Sequence, residues 1–149
     1  EATNGNNLAI GFNTVASGNA SFAIGISSSA TTFNTMVIGT NALASGIGGT
    51  SIGYSATASG NQSMSIGSFT QAIAADAVAL GKSAIANASG AVALGANITA
   101  ATASTVTIKK LQMLDYATIN YANDAAAATG GIPLGGVYHT AGALKIRIA

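Results

Sequence analysis

The sequence predicts an all-β fold, a β-solenoid of seven 14-residue coils followed by a small β-rich C-terminal segment. An Ile-Gly or Leu-Gly pair recurs every 14 residues without insertion, and an alanine follows each of these glycines by five residues. Helix-pair repeats need about 33 residues or more, whereas a period of 14 suits a coil of two short strands and two turns. Coil by coil, the repeated residues are Ile10, Gly11 and Ala16; Ile24, Gly25 and Ala30; Ile38, Gly39 and Ala44; Ile52, Gly53 and Ala58; Ile66, Gly67 and Ala72; Leu80, Gly81 and Ala86; and Leu94, Gly95 and Ala100.

The first strand of each coil is predicted from residues that alternate in size, as in Phe22-Ala23-Ile24 and Val78-Ala79-Leu80. Because successive side chains of a strand point to opposite faces, the large residues share one face. The glycine that follows is expected to take a positive φ or to permit close approach of another backbone segment. The second strand runs through the alanine column, whose small side chains predict a thin coil with closely opposed walls.

The composition excludes several classes of protein. Only 6% of the 149 residues are charged, where about 25% is usual, and no charged side chain lies between Ala2 and Ala75. The net charge of +1 does not fit a basic nucleic-acid binder. No unbroken apolar run of about 18 residues is present, so we expect no direct insertion into a membrane.

Catalytic chemistry is not expected either. The chain has no cysteine and one histidine, His139, which cannot form a multi-histidine metal site. Its acids are Glu1, Asp76, Asp115 and Asp124, and no two of them stand at a spacing typical of a general acid and base. We therefore predict no enzyme activity, no catalytic residue, no cofactor and no metal.

A thin coil buries little apolar surface by itself, so lateral association of several chains is expected, with the ends of the solenoid capped. A surface of Ala, Gly, Ser and Thr can pack against a copy of itself without burying charges. The low charge of the repeats therefore favours contacts between chains through their small side chains.

The repeats resemble the head repeat of trimeric autotransporter adhesins, the YadA-like head. The resemblance rests on Ser-Phe-Ala-Ile-Gly at 21–25, Ser-Met-Ser-Ile-Gly at 63–67 and Ala-Val-Ala-Leu-Gly at 91–95, and on the Ala-Ser-Gly elements at 16–18, 44–46 and 58–60. It covers about residues 7–102 and implies a left-handed parallel β-roll, a homotrimer and binding to host matrix or cell surfaces. Coils two, five and seven depart from the Ala-x-Gly element at 30–32, 72–74 and 100–102, which leaves the turn geometry at three corners open.

The 14-residue register is expected to end after Thr102. The predicted domains are a β-roll at 1–102, with coils that start near 9, 23, 37, 51, 65, 79 and 93, and a C-terminal domain at 103–149 for capping, trimerisation or docking. Within the second, 105–108 is predicted as a strand. Asn123-Asp124 before four alanines, with Gly130-Gly131 after them, predicts a short capped helix. Residues 136–140 and 144–148 predict a hairpin about Ala141-Gly142.

Two groups of residues are candidates for binding. Phe12, Tyr54 and Phe69 follow a column glycine by one or two residues and could stack on a sugar or receptor, the alternative being turn residues tucked against the next coil or chain. Candidate docking residues are Lys109, Lys110, Tyr138, His139, Lys145 and Arg147. The alternatives are a solvated face for the Lys109-Lys110 pair and a structural or surface role for His139.

The C-terminal segment at 132–149, with the two glycines before it, resembles that of small bacteriophage virion proteins, in which Gly-Gly-Ile-Pro-Leu-Gly-Gly-Val-Tyr leads into a basic-apolar strand. The first functional interpretation is a non-enzymatic trimeric fibre or decoration protein on a phage virion, docked to other virion proteins through this tail. The alternative is the head fragment of a bacterial trimeric adhesin at the cell surface, bound to host glycan, protein or matrix. A carbohydrate-active enzyme on a β-solenoid is a third hypothesis, which the lack of paired acids disfavours.

Overall fold

The structure is a computed structural model that describes residues 1–3, 5–109, 123–130, 137–140 and 143–146. The chain divides into two compact units, Glu1–Lys109 and Lys110–Ala149. Short strands fill the first unit. In chain order they are β1 (Leu8–Ile10), β2 (Val15–Ala16), β3 (Phe22–Ile24), β4 (Ser29–Ala30), β5 (Met36–Ile38), β6 (Leu43–Ala44), β7 (Thr50–Ile52), β8 (Thr57–Ala58), β9 (Met64–Ile66), β10 (Gln71–Ala72), β11 (Val78–Leu80), β12 (Ile85–Ala86), β13 (Val92–Leu94), β14 (Thr99–Ala100) and β15 (Val106–Ile108).

These strands form two parallel sheets that the chain visits in turn. The odd-numbered strands, β1 to β15, build an eight-stranded sheet, and the even-numbered strands, β2 to β14, build a seven-stranded sheet. Each rung pairs a residue with the one 14 positions later, as Leu8 pairs with Phe22 and Ala44 with Ala58. The predicted β-solenoid with 14-residue coils is confirmed.

The ladder continues beyond Thr102, which corrects the predicted end of the register. Strand β15 pairs in the same step with β13, Val92 with Val106 and Leu94 with Ile108. The sequence signal stops earlier because Lys109 stands where another column glycine would be. Among the described residues, the atom that a Cβ on Gly95 would meet is the Lys109 Cβ, at 3.7 Å, an ordinary contact distance that does not require a glycine on the next rung.

The column glycines are required for both of the reasons expected. Gly11, Gly25 and the five glycines that follow at steps of 14 have φ between 123° and 144°, a region that side chains rarely adopt. A Cβ on Gly39 would also lie 2.2 Å from the carbonyl oxygen of Gly53 in the next coil. Coils therefore stack glycine on glycine at this corner.

The turns repeat every seven residues, a shorter period than the 14 residues of the glycine and alanine columns. A residue with left-handed φ stands at every seventh position from 13 to 104, twice in each coil. Eleven of these fourteen residues are Asn, Asp, Ser or Gly, the types that tolerate this conformation. Each coil is therefore two seven-residue half-coils, each ended by a left-handed residue. The three exceptions are Ala20, Gln62 and Phe69.

The corners that depart from Ala-x-Gly differ in their hydrogen bonds. At Gly18, Gly46 and Gly60 the amide makes a second, longer bond to a carbonyl that the preceding amide already binds, as Gly18 N does to Ala30 O at 3.4 Å. Coil six, with Ala88, also departs from the element, and the bonds described at Thr32, Ala74 and Ala88 do not include this second bond. The preceding amide still joins the ladder at all three places, so the change stays within the turn.

The interior of the roll is built from small side chains, as the thin coil predicted. Every alanine of the second-strand column, from Ala16 to Ala100, is fully buried, and Val37 is the largest of the fully buried side chains. Buried hydroxyls next to the turns bind the carbonyl three residues earlier, as Ser21 Oγ does to Gly18 O at 2.9 Å and Thr35 Oγ1 to Thr32 O at 2.8 Å. The expectation that small side chains form the contacts between chains is wrong for the alanine column, since its members have no exposed surface.

The second unit contains helix α1 (Asp124–Thr129) and strands β16 (Val137–Thr140) and β17 (Ala143–Ile146). The predicted cap is confirmed, because Asn123 Oδ1 accepts a hydrogen bond from Ala126 N at 2.9 Å. The helix ends at Gly130 with φ −79°, so this glycine does not use the left-handed region. The hairpin is also confirmed, with antiparallel pairs from Val137–Ile146 to Thr140–Ala143. Gly131 and the turn at 141–142 lie outside the described residues.

Candidate functional site

The outward side of the eight-stranded sheet is an apolar face. Its strands are three residues long, and the middle residue points inward, so the two flanking residues of every strand point outward. Fifteen of these sixteen residues are apolar, Thr50 being the exception. The apolar face consists of Leu8, Ile10, Phe22, Ile24, Met36, Ile38, Thr50, Ile52, Met64, Ile66, Val78, Leu80, Val92, Leu94, Val106 and Ile108.

None of these sixteen side chains is buried within one chain. Ile38, in the middle of the ladder, is 37% exposed, while Val37, on the other side of the same strand, is fully buried. Eight rungs spaced about 4.8 Å apart make this face roughly 34 Å long. A contiguous apolar surface of this length is typical of an interface rather than of a free surface.

The outward side of the seven-stranded sheet has the opposite character. Its two outward columns are the residues directly before and directly after each buried alanine. Nine of these fourteen residues are Ser, Thr, Asn or Gln. Ile73, 45% exposed, is one of the apolar minority. The polar members are Ser17, Ser29, Thr31, Ser45, Thr57, Ser59, Gln71, Asn87 and Thr99. The two sheets therefore turn outward sides of opposite polarity to their surroundings.

The predicted aromatic residues lie on one corner of the roll, at the carboxyl ends of the odd-numbered strands. Phe12 is 72% exposed, Tyr54 50% and Phe69 49%, so none is tucked away within its own chain. Tyr54 and Phe69 lie on neighbouring coils with ring centroids 5.2 Å apart and planes at 81°, an edge-to-face pair. Phe12 lies three coils from Tyr54. The corner therefore presents one paired and one isolated aromatic site.

The structure describes four of the six candidate docking residues in part or in full. Lys109, at the last rung of the roll, and Lys145, in β17, are exposed. His139 is 5% exposed, which favours a structural role for its ring over docking. Tyr138 pairs with Lys145 across the hairpin backbone. Lys110 and Arg147 lie outside the described residues.

The described part of the chain holds no group of three or more His, Cys, Asp or Glu side chains placed to bind a metal ion. Asp76 and Lys82, the charged residues of the middle coils, lie at opposite ends of β11. Among the described residues, no helix has the length and hydropathy needed to span a membrane. The candidates for binding described below are surfaces of the roll.

Sequence reasoning missed the direction of the apolar face and the seven-residue period of the turns. The size alternation placed the large residues on one face without saying whether that face is inside or outside. Two sheets joined by turns this short are so close that only small side chains fit between them. The prevalence of Asn, Ser and Gly at every seventh position was the available signal for the turns.

Comparison with known families gives one match. The model of the YadA head domain repeat, which spans two copies of the repeat, matches residues 2–28, 16–42, 44–70 and 72–97. Comparison with curated proteins gives no match. The matched segments cover residues 2–97 apart from two positions, which is more than half of the chain, and their spacing follows the 14-residue ladder. The chain belongs to the family of the YadA head domain repeat.

Proposed function

We propose that this chain is the head region of a trimeric bacterial surface adhesin, a non-enzymatic structural protein that attaches the cell to host surfaces or extracellular matrix. The observation that carries the proposal is the apolar face, which a single chain leaves open to water along eight rungs. Family membership supports the adhesive role, because YadA-like heads are adhesin repeats that form trimers.

Assembly follows from the contrast between the two sheets. Three apolar faces that meet around one axis would remove their large side chains from water, and a closed cyclic arrangement leaves no such face unpaired. Fully burying an exposed Leu, Ile or Met side chain contributes about 1.5–3 kcal/mol, and each of these half-exposed side chains would contribute a part of that, summed over three chains. The polar outward columns of the seven-stranded sheet would then form the outside of the head.

The interpretation as a phage virion fibre has no comparable support. It rests on the sequence at 132–149, where the structure describes only residues 137–140 and 143–146. The family match lies entirely within the roll. We therefore favour the alternative, with the bacterial cell surface as the location. The role of the C-terminal unit in docking or trimerisation stays a prediction.

The oligomeric state tests the assembly. Light scattering coupled to size exclusion should give a mass of three times 14.3 kDa for the unaltered chain. Ile38→Asp places a charge in the middle of the apolar face and should yield monomer or aggregate. Ile73→Asp, at a residue of similar exposure on the other sheet, should remain a trimer. A monomeric parent chain, or a trimeric Ile38→Asp variant, would remove the basis for this interface.

Adhesion is tested separately with particles coated with the trimer. Their retention on immobilised matrix and on cultured cells should exceed that of uncoated particles at least tenfold. Linked binding sites gain avidity, so the monomer fraction of the Ile38→Asp variant, separated from any aggregate and used at equal chain density, should be retained much less. A trimer that is retained on no matrix or cell surface would contradict the adhesive role while leaving the assembly intact.

A further inference from the structure

The corner that carries Tyr54 and Phe69 has features that neither the fold nor the apolar face requires. Tyr54, Ser68 and Lys82 each follow a column glycine on three successive coils, and Phe69 follows Ser68. The ladder joins them closely, because Phe69 N donates to Tyr54 O at 2.8 Å and Ser83 N donates to Ser68 O at 2.8 Å. We call Tyr54, Ser68, Phe69 and Lys82 the aromatic corner.

Phe69 occupies a backbone conformation that does not suit it. Its φ is 58°, in the left-handed region, where a bulky residue is an outlier. The equivalent residues of the other coils at this corner are Asn or Ser, such as Asn41, Ser55 and Ser83. A half-exposed ring is thus kept where a small polar residue would fit with less strain. Strained residues of this kind cluster at binding sites.

Lys82 is the one cation in the middle of the roll, and it is exposed. The carboxylate side chains of the first unit are Glu1 and Asp76. Asp76 belongs to the opposite corner, because the three residues of β11 separate its turn from that of Lys82. No acid of the roll therefore shares the aromatic corner with this ammonium group. The preceding coil contributes Ser68 and Phe69 to the same corner.

We propose that the aromatic corner binds a carboxylated saccharide, a glycan containing a uronic or sialic acid. The negative face of an aromatic ring attracts the C–H side of a pyranose, and the edge-to-face pair of Tyr54 and Phe69 offers such a face beside a second ring. Lys82 would supply a charge-assisted hydrogen bond to the carboxylate. This inference rests on the proposed adhesin function and names one ligand class for it.

The test uses the assembled protein and three probes in saturation-transfer NMR and calorimetry. The two acidic probes are a hyaluronan tetrasaccharide, which carries uronic acid, and sialyllactose, which carries sialic acid. Lactose is the matched neutral probe. At least one acidic probe should bind ten times more tightly than lactose, and the two acidic probes distinguish the two sources of the carboxylate. Tyr54→Ala and Lys82→Gln should each weaken that binding at least tenfold.

Phe69→Asn separates binding from folding, since asparagine is the residue of other coils at this position. This variant should remain a stable trimer and lose the acidic saccharide. Phe33→Ala, which removes an exposed ring from the opposite corner, and Lys145→Gln, which removes an exposed charge from the second unit, should leave binding unchanged.

Three results would overturn the proposal. If lactose and the acidic probes bound with equal affinity, and Lys82→Gln had no effect, the carboxylate would not be part of what this corner recognises. Dissociation of the trimer by Tyr54→Ala would assign the rings to a contact between chains. Binding of a matrix protein, but of no saccharide, through this corner would make the ligand a protein. In each case, adhesion of the unaltered trimer would still support the broader function.

Discussion

Ser51 and Ser65 occupy the same buried column on successive rungs of the eight-stranded sheet, yet their hydroxyl groups differ in partners. Ser65 Oγ donates to Thr70 Oγ1 at 2.8 Å, and Thr70 Oγ1 donates to Gly67 O at 2.8 Å. Ser51 Oγ is buried with no hydrogen-bond partner among the residues that the structure describes. The two positions therefore form an internal comparison for the cost of a buried hydroxyl.

Ser51→Ala should raise the free energy of unfolding by about 1 kcal/mol, because a buried hydroxyl without a partner costs about 1–3 kcal/mol. Ser65→Ala should lower it by about 1 kcal/mol, since the substitution leaves Thr70 with one partner fewer. Urea unfolding at a fixed chain concentration measures both changes. A shift of both variants in the same direction would contradict this account of the core.

Gly39→Ala should be far more damaging than Gly95→Ala. Both glycines have a φ that favours glycine, 144° and 129°, so both variants incur a conformational cost of about 1–3 kcal/mol. Only Gly39 has a carbonyl of the next coil within 2.2 Å of the added Cβ, whereas the nearest atom at Gly95 is 3.7 Å away. Gly39→Ala should lose the folded roll, and Gly95→Ala should remain folded with a lower melting temperature. Similar melting temperatures of the two variants would show that the close approach of the next coil adds nothing to the cost of the substitution.

Ala20→Gly should stabilise the protein. Ala20 is exposed with φ 55°, and the left-handed conformation costs alanine roughly 1–2 kcal/mol because its Cβ approaches the following carbonyl oxygen. The matched control is Ala75→Gly, at an exposed turn alanine that is not among the residues with positive φ, where glycine should cost about 0.4–1 kcal/mol through the larger entropy of the unfolded chain. Thermal unfolding should move the two variants in opposite directions. Destabilisation by both would mean that the turn does not strain Ala20.

Much of the roll could be predicted because the stacking itself fixes the sequence columns. A glycine is required wherever another coil's glycine lies directly above, as at Gly39 and Gly53, and an alanine wherever the two walls nearly touch. These requirements recur in every coil, so they are visible in a single sequence. The end of the ladder was misplaced because Lys109 stands where the next column glycine would be, and a Cβ on Gly95 lies at an ordinary contact distance of 3.7 Å from the Lys109 Cβ.

The turns and the binding surfaces were harder to predict because several residue types satisfy them. Asn, Ser, Asp and Gly all tolerate a left-handed φ, so no single residue marks the seven-residue period. The aromatic residues could be located on a corner from their distance to the column glycine. Their exposure and the 5.2 Å contact of Tyr54 with Phe69 depend on how neighbouring coils stack, which the sequence alone does not specify.

Asn7 closes the first coil through its side chain, and its removal should open that end of the roll. Its Oδ1 accepts from the amide of buried Ser21 at 2.8 Å, and its Nδ2 donates to Ala16 O at 3.2 Å and to Thr3 O. Asn7→Ala should lower the free energy of unfolding by about 1–3 kcal/mol, because the Ser21 amide loses this acceptor.

Hydrogen exchange localises this effect. The amide of Ser21 should exchange at least tenfold faster in Asn7→Ala than in the unaltered chain, while amides of the middle coils keep their rates, because local opening near one end need not spread along a ladder of nearest-neighbour contacts. The matched control is Asn6→Ala, at the preceding exposed asparagine, which should change stability by less than about 0.5 kcal/mol. Uniform acceleration along the whole roll would instead mean that Asn7 acts through global unfolding.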